Sequence, residues 1–304
     1  MRIVLVGAVE ATRVAIEALA EYGRLPVALL TLPPSALGRH SDGVDLAPVA
    51  ARHGIELIYS TSVNSRETLE ALAIIKPDIV LAIGWSQICR APFRSAAKLG
   101  CVGFHPSALP KMRGRAVIPW TILTGVPTTG STFFWLSEGV NAGDIILQRR
   151  FPVAEDETAR SLYTKHLQAM RDMLPEIISM FAKGKPVRQP QREEDVSYCA
   201  RRTPEDGIID WREPADAILR FVRAVGDPYP GAFTPFGGAL LFIDKARMFE
   251  NSHQYIGLAG QIQSHTDLGF TVKCGDGNCI EVLEWRWIEG KRPPKHVMLG
   301  REGA

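Results

Sequence analysis

The densest concentration of chemically capable side chains in this 304-residue chain is the run 100–116, Gly-Cys-Val-Gly-Phe-His-Pro-Ser-Ala-Leu-Pro-Lys-Met-Arg-Gly-Arg-Ala. An apolar stretch ends at His105, and Pro106 stops the strand, so the imidazole is expected at the carboxyl edge of a sheet. Open α/β sheets put their ligand crevice there. An imidazole so placed can take up or give a proton near neutral pH. Ser107 adds a hydroxyl, and Lys111, Arg113 and Arg115 add positive charge that suits an anionic group. A second run, Gly139-Val140-Asn141-Ala142-Gly143-Asp144, brings an amide and a carboxylate on a glycine-flanked loop, and a third, Ile83-Gly84-Trp85-Ser86-Gln87-Ile88, follows another apolar strand.

The elements that must position these groups follow from periodicity. Apolar, β-branched runs at 2–6, 27–32, 56–59, 78–83 and 101–104 predict strands. Helical patterns at 12–22, 46–53 and 65–75 separate them, the signature of βαβ units around a parallel sheet. A short helix at 118–123, strands at 129–136 and 144–151 and a long helix at 157–183 complete a Rossmann-like first domain. Residues 184–192, polar with two prolines and no period, read as a linker. The domains are placed at 1–204 and 205–304. The second has one helix at 214–225 and strands near 240–249, 260–264, 270–274 and 280–287, which suit a small, OB-like β-barrel. Gly7 is the one glycine of the first strand–helix turn, where a dinucleotide fingerprint needs three, so nicotinamide chemistry is not expected.

Composition bounds the rest. Hydrophobic residues make up 46% and charged residues 22%, an ordinary globular balance that excludes disorder. Thirty-five Lys and Arg against 33 Asp and Glu leave a net charge of +2, with no bulk basic excess. No apolar run reaches 18 residues and no cleavage signature follows Met1–Gly7, so a soluble, non-exported, cytoplasmic protein is expected. The five cysteines, at 89, 101, 199, 274 and 279, are odd in number and scattered, which suits a reducing compartment. Cys274 and Cys279 bracket Gly-Asp-Gly-Asn, a hairpin turn, and no second pair gives them metal-ligand spacing.

Gly103-Phe104-His105-Pro106-Ser107-Ala108-Leu109-Pro110-Lys111-Met112-Arg113-Gly114, then Pro119-Trp120 and Gly139-Val140-Asn141-Ala142-Gly143-Asp144-Ile145-Ile146, resemble the 10-formyltetrahydrofolate-dependent formyltransferase family. Residues 199–211 and 223–233 look like the linker and C-terminal domain of its methionyl-tRNA and lipid A 4-amino-arabinose members. The resemblance implies formyl transfer from 10-formyltetrahydrofolate to a primary amine. It assigns the work to an Asn-x-His pair ending the fifth strand and an Asp in an Asp-x-Gly loop. His105 matches the histidine. Gly103 stands where the family has Asn, and Asn141 where it has Asp. Asn141 is expected to hydrogen-bond the His105 ring, Asp144 reads first as a structural loop carboxylate and second as the candidate to compensate for the missing acid, and Ser107 could stand near the oxyanion. The folate site is implied at Ile83, Gly84, Trp85, Ile88, Gly139, Val140 and Asp144, largely through backbone.

Ser107, Lys111, Arg113, Arg115, Arg201 and Tyr229 are the candidate acceptor-binding residues. Residues 33–45 hold one arginine and two acids, and residues 205–304 hold 11 Lys and Arg against 14 Asp and Glu, net −3. On that charge the expected acceptor is a small amine, either a nucleotide-linked amino sugar or an amino acid, and tRNA is an unlikely partner. The alternative reading is a catalytically altered or inactive family member that binds folate or a nucleotide.

Overall fold

The computed structural model describes residues 1–288 and 290–301. In chain order the elements are β1 (Ile3–Val6), α1 (Glu10–Glu21), β2 (Ala28–Thr31), α2 (Ala47–His53), β3 (Glu56–Tyr59), α3 (Arg66–Ile75), β4 (Ile79–Ala82), α4 (Ala91–Arg94), β5 (Cys101–His105), β6 (Arg113–Gly114), α5 (Val117–Leu123), β7 (Thr128–Trp135), β8 (Ile145–Pro152), α6 (Ala159–Ala182), β9 (Tyr198–Cys199), α7 (Ala215–Val225), β10 (Ala232–Phe236), β11 (Ala239–Phe249), β12 (Ile262–His265), β13 (Phe270–Lys273) and β14 (Cys279–Arg286).

Two compact units result. Residues 1–117, 128–152 and 163–201 form the first, and residues 118–127, 153–162 and 202 onward form the second. Sequence reading assigns the whole of 1–204 to one domain, whereas segments 118–127 and 153–162 cluster with the second unit. Side chains explain it. Arg160 pairs with Asp227 at 2.6 Å, Arg223 donates to the Glu155 carbonyl at 2.9 Å, and the Arg202 guanidinium lies 5.3 Å from the Trp120 ring centre. Of the span 205–304, residues 289 and 302–304 lie outside the described residues.

The first unit is built on a seven-stranded sheet in the order β3-β2-β1-β4-β5-β7-β8. β1 and β4, Ile-Val-Leu-Val and Ile-Val-Leu-Ala, are buried along their whole length, as parallel strands covered on both faces must be. α1 turns Ala11, Ala15, Ile16 and Leu19 inward. Ser65 starts α3 by accepting the Thr68 N–H on its side chain, a normal helix cap. β7 runs antiparallel to β5, and β8 antiparallel to β7. Because β1 has β2 on one side and β4 on the other, the connections diverge there and leave a crevice at the carboxyl ends of the strands.

The expected linker at 184–192 is a docked strap of the first unit. Gln189 exchanges two backbone hydrogen bonds with Ile145, at 2.8 and 3.0 Å. Trp135 donates its indole N–H to the Val187 carbonyl at 2.9 Å, and the Arg188 guanidinium stacks 3.8 Å from the Trp135 ring centre. Farther on, β9 pairs in parallel with β6. The prolines that hide any period also hold the strap extended.

The second unit carries a five-stranded antiparallel sheet in the order β10-β11-β14-β13-β12, with Ile218, Leu219, Val222 and Val225 of α7 buried. β10 is absent from the sequence reading because Pro235 interrupts it; as an edge strand it tolerates a residue that cannot donate. The Gly-Asp-Gly-Asn segment is a hairpin turn, closed by Cys274 N–H to the Asn278 carbonyl at 2.8 Å. All five cysteines are free thiols. Among the described residues no helix is long and apolar enough to cross a membrane.

Two buried imidazoles set the acid limit of the first unit. His166 on α6 is fully buried; its Nδ1 lies 2.8 Å from Ser131 Oγ, while Nε2 is buried with no partner. Burial, with the nearby His105 adding to it, pushes its pKa down to about 3, and burial pushes that of His105 down to about 4. Both rings are neutral when folded and take up protons first when unfolded. Stability is therefore complete above the ordinary histidine range and falls as pH drops below about 6.5, by at most about 1.4 kcal/mol per pH unit per ring. Thermal melts between pH 7.5 and 4.5 should show this decline. His166→Asn, which never charges and can still face Ser131, should melt lower at pH 7.5 but lose less on acidification.

Candidate functional site

His105, the last residue of β5, is 5% exposed. Its Nε2 lies 2.8 Å from the Met112 carbonyl; a carbonyl can only accept, so Nε2 carries the proton and Nδ1 the lone pair. The loop between them is rigidly pinned. Thr132 Oγ1 donates to the Ser107 carbonyl at 2.7 Å, and Gln148 Nε2 donates to the Leu109 carbonyl and to Thr132 Oγ1 at 2.8 and 2.9 Å. Ser107 Oγ donates to the Lys111 carbonyl at 2.8 Å and is itself buried, so its hydroxyl closes the loop rather than facing a substrate.

Arg113 also departs from expectation. The residue is 1% exposed, so it is a structural cation rather than a contact for substrate. Nε and Nη2 donate to Gln191 Oε1 at 3.1 and 2.8 Å, Nη2 also to Glu193 Oε1 at 3.0 Å, and Nη1 to Tyr198 Oη at 3.4 Å. A charge withdrawn from water needs such partners. Lys111 is exposed, and Arg115 stays at the surface with its N–H donated to the Cys199 carbonyl.

The three positions singled out by resemblance, one in β5 and two in a loop, have other engagements. A Cβ on Gly103 would meet Leu136 Cδ2 and the Phe134 ring at 2.8 Å, so apolar side chains fill the place of an amide. Asn141 sits in the left-handed region, φ 51°, and its Oδ1 accepts from Gly114 N–H at 2.8 Å. The expected bond to His105 is replaced by this one, because the Met112 carbonyl occupies His105 Nε2. Asp144 Oδ2 lies 3.6 Å from Arg188 Nη1; this half-exposed carboxylate faces the strap and does not replace a missing acid at the imidazole. Gly143 is obligatory, since any Cβ there would run into the Trp135 carbonyl.

A cavity of about 320 Å³ opens in the first unit, lined by Leu32, His40, Trp85, Ser86, Gln87, Arg115 and Arg201. That is the size of a small-ligand site. Trp85 packs against Ala8, Leu32 and Ala36, and its indole N–H is buried without a partner, an orphan donor of the kind a bound polar ligand satisfies. Ile83 is a correction: its side chain is core, its N–H donates to Val6 and its carbonyl accepts from Thr12 Oγ1. Gly84 accepts from Ala8 N–H at 3.4 Å, Ile88 from Asn64 Nδ2 at 2.8 Å, and Gly139 from Ala142 N–H at 3.4 Å. The Ile88 and Val140 side chains are exposed. Tyr229 belongs to the second unit, where its N–H donates to the Gly226 carbonyl. Of the candidate folate- and acceptor-binding residues named from sequence, the cavity gathers Trp85, Arg115 and Arg201. Met112, Phe134, Leu136, Gln191 and Ser197 were missed: an apolar residue in a basic loop, one residue of β7 and one just beyond its end, and two polar residues after α6 carry no sequence signal of their own.

A family model described as "Formyl transferase" matches residues 27–178, and one described as "Formyl transferase, C-terminal domain" matches residues 201–299. The methionyl-tRNA formyltransferase of Citrifermentans bemidjiense is 32% identical over 294 residues, covering 96% of this chain and 90% of that protein. That of Caldanaerobacter subterraneus subsp. tengcongensis is 32% identical over 288 residues, covering 93% and 91%. The N-formyltransferase from Helicobacter canadensis, solved with folinic acid and dTDP-3-aminofucose, superposes with a TM-score of 0.67 at 19% identity, covering 93% of this chain and 99% of that one; at this identity the likeness speaks to the fold. The expectation that tRNA is an unlikely partner is overturned, because full-length curated relatives are methionyl-tRNA formyltransferases. The error was to read a summed charge as a binding surface: a net of −3 says nothing of where individual cations stand.

The packing around Gly103 generates a prediction. Gly103→Asn should destabilise by about 1–3 kcal/mol through overpacking, read as a lowered Tm. Phe134→Ala in the same chain should offset part of this, so that the double variant loses less than the sum of the singles. Asn141→Asp should fold normally, since a carboxylate accepts the Gly114 N–H equally well.

Proposed function

The chain belongs to the formyl transferase family, and from that membership we propose that it moves the formyl group of 10-formyltetrahydrofolate to the primary amine of a phosphate-bearing acceptor, with methionyl-tRNA the acceptor to test first. Its donor is a formyl-folate. The observation that carries the choice of acceptor is that Arg115 and Arg201 both line the cavity. Neither guanidinium has a carboxylate partner among the described residues, and two such cations lining one cavity suit phosphate. The full-length relatives that act on methionyl-tRNA support the same choice.

Trp85 and the 139–143 loop would hold the folate, which supplies the formyl carbon when bound. His105, neutral at pH 7 and fixed with its proton toward Met112, takes at Nδ1 the proton released as the amine is acylated and returns it to the leaving nitrogen. With no side chain at position 103 to donate to a developing oxyanion, turnover is slow; one such donor is worth on the order of a hundredfold or more.

The test is purified chain with 10-formyltetrahydrofolate and, in parallel, methionyl-tRNA, a nucleotide-linked amino sugar and free amino acids. Formyl-methionyl-tRNA should form, with an acceptor KM that rises steeply with salt. Arg115→Ala and Arg201→Ala should each raise that KM about tenfold, roughly 1.4 kcal/mol, and leave the donor KM unchanged. His105→Ala should abolish transfer. Activity should persist to about pH 5 and fall toward pH 4 as His105 protonates. 5-Formyltetrahydrofolate should bind saturably and indifferently to chelator. Transfer to the sugar alone would overturn the tRNA assignment. Folate binding with no transfer to any amine would favour a binder instead, the reading that the apolar packing on Gly103 supports.

A further inference from the structure

We infer that Gln191 is a positioning residue for His105: its side-chain amide ties the loop that faces the imidazole to the loop that carries Asn141, and so holds the ring in one tautomer. The kinetic arm of this inference rests on the formyl-transfer reading above. The tautomer arm does not.

Gln191 spends both ends of its amide on different loops. Oε1 accepts from Arg113 Nε and Nη2 at 3.1 and 2.8 Å. Nε2 donates to the carbonyls of Asn141 and Gly143 at 2.8 and 2.7 Å. Four hydrogen bonds saturate the group's main donors and acceptor. One residue before Arg113, Met112 holds a left-handed backbone, φ 57°, with its N–H donated to Ser197 Oγ at 2.9 Å and its carbonyl accepting from His105 Nε2 at 2.8 Å. Asn141, also left-handed, returns a bond to the same loop by accepting from Gly114 N–H. A non-glycine residue keeps such a conformation only where its surroundings over-determine it. Here the chain that follows α6 does so: Gln191 and Ser197 restrain both loops around the one carbonyl that selects the His105 tautomer.

The chemistry is specific to an amide. A carboxylate at 191 would still accept from Arg113 but would turn acceptors toward the Asn141 and Gly143 carbonyls. An alanine would leave a buried guanidinium short of a partner and release both loops. No shorter amide reaches, since asparagine lacks the methylene that spans the gap.

The experiment compares wild type, Gln191→Ala and Gln191→Glu in the full chain by two readouts: the ¹⁵N signals of His105 at pH 7.5, assigned with His105→Gln, and the separate kcat and KM values of formyl transfer. Wild type should show one protonated and one unprotonated ring nitrogen, with Nε2 protonated. Gln191→Ala should show the two tautomers averaging and a kcat lowered at least tenfold with both KM values little changed, as a small displacement of a reacting group gives. Gln191→Glu should melt within a few degrees of wild type, because the Arg113 clasp survives, and still lose kcat. Unchanged His105 signals in both variants would overturn the inference, as would a lowered Tm with the tautomer and the kcat of the folded protein intact. If wild type transfers no formyl group, the functional reading fails, and the nitrogen signals alone decide this one.

Discussion

One buried cation organises the first unit. Arg113 lies almost wholly out of water, in a loop whose sequence looks like ordinary basic surface. Withdrawing a guanidinium costs several kcal/mol unless its donors are met, and removing a partner from such a group costs about 3–5 kcal/mol. Gln191, Glu193 and Tyr198 meet them, and all three lie on the chain that follows α6. The need of one side chain thus pulls a proline-punctuated segment back across the unit and makes it a strap. Once docked, the strap fixes the loops on either side of His105 through backbone bonds no side-chain pattern announces.

The surroundings of His105 pull in a second direction. Phe134 and Leu136 close over Gly103, and the ring is buried enough to hold its pKa near 4. A drier site strengthens each remaining polar contact but weakens the imidazole as a base. Geometry therefore carries more of the load than basicity, and the Met112 carbonyl becomes the group that decides which nitrogen bears the lone pair. Arg115 and Arg201 stand at the wet side of the same unit, where unpaired charge costs little.

Much of this was legible in the residues. The fully apolar runs of β1 and β4 announced a parallel sheet, and Pro106 after His105 announced a strand end at its carboxyl edge. The hairpin between Cys274 and Cys279 followed from its turn residues. What stayed illegible shares a cause: it depends on who meets whom across many residues. Arg113 and Arg115 have the same type and neighbouring positions, yet one is core and the other surface, because only the first points at the strap. Asn141 could be paired with His105 on paper, but Gly114 reaches it first. Residues 184–192 lack a period because their order comes from partners rather than from a repeating face. The charge sum over residues 205–304 likewise left out Arg115 and Arg201, the two cations that line the cavity.

The outer strand of the second sheet has a consequence of another kind. β10 pairs inward with β11 along its length. On its free side, Phe233 is already bridged to Ile208 and accepts from the Ile209 N–H at 2.8 Å, while Pro235 has no N–H to give. An exposed strand edge invites accretion of other chains in a crowded solution. This edge offers little footing: the Phe233 and Pro235 carbonyls are already taken by the N–H groups of Ile209 and Gly300, and the imino acid has no N–H to donate. The proline that hid the strand from sequence reading also protects the protein from templating its own aggregation.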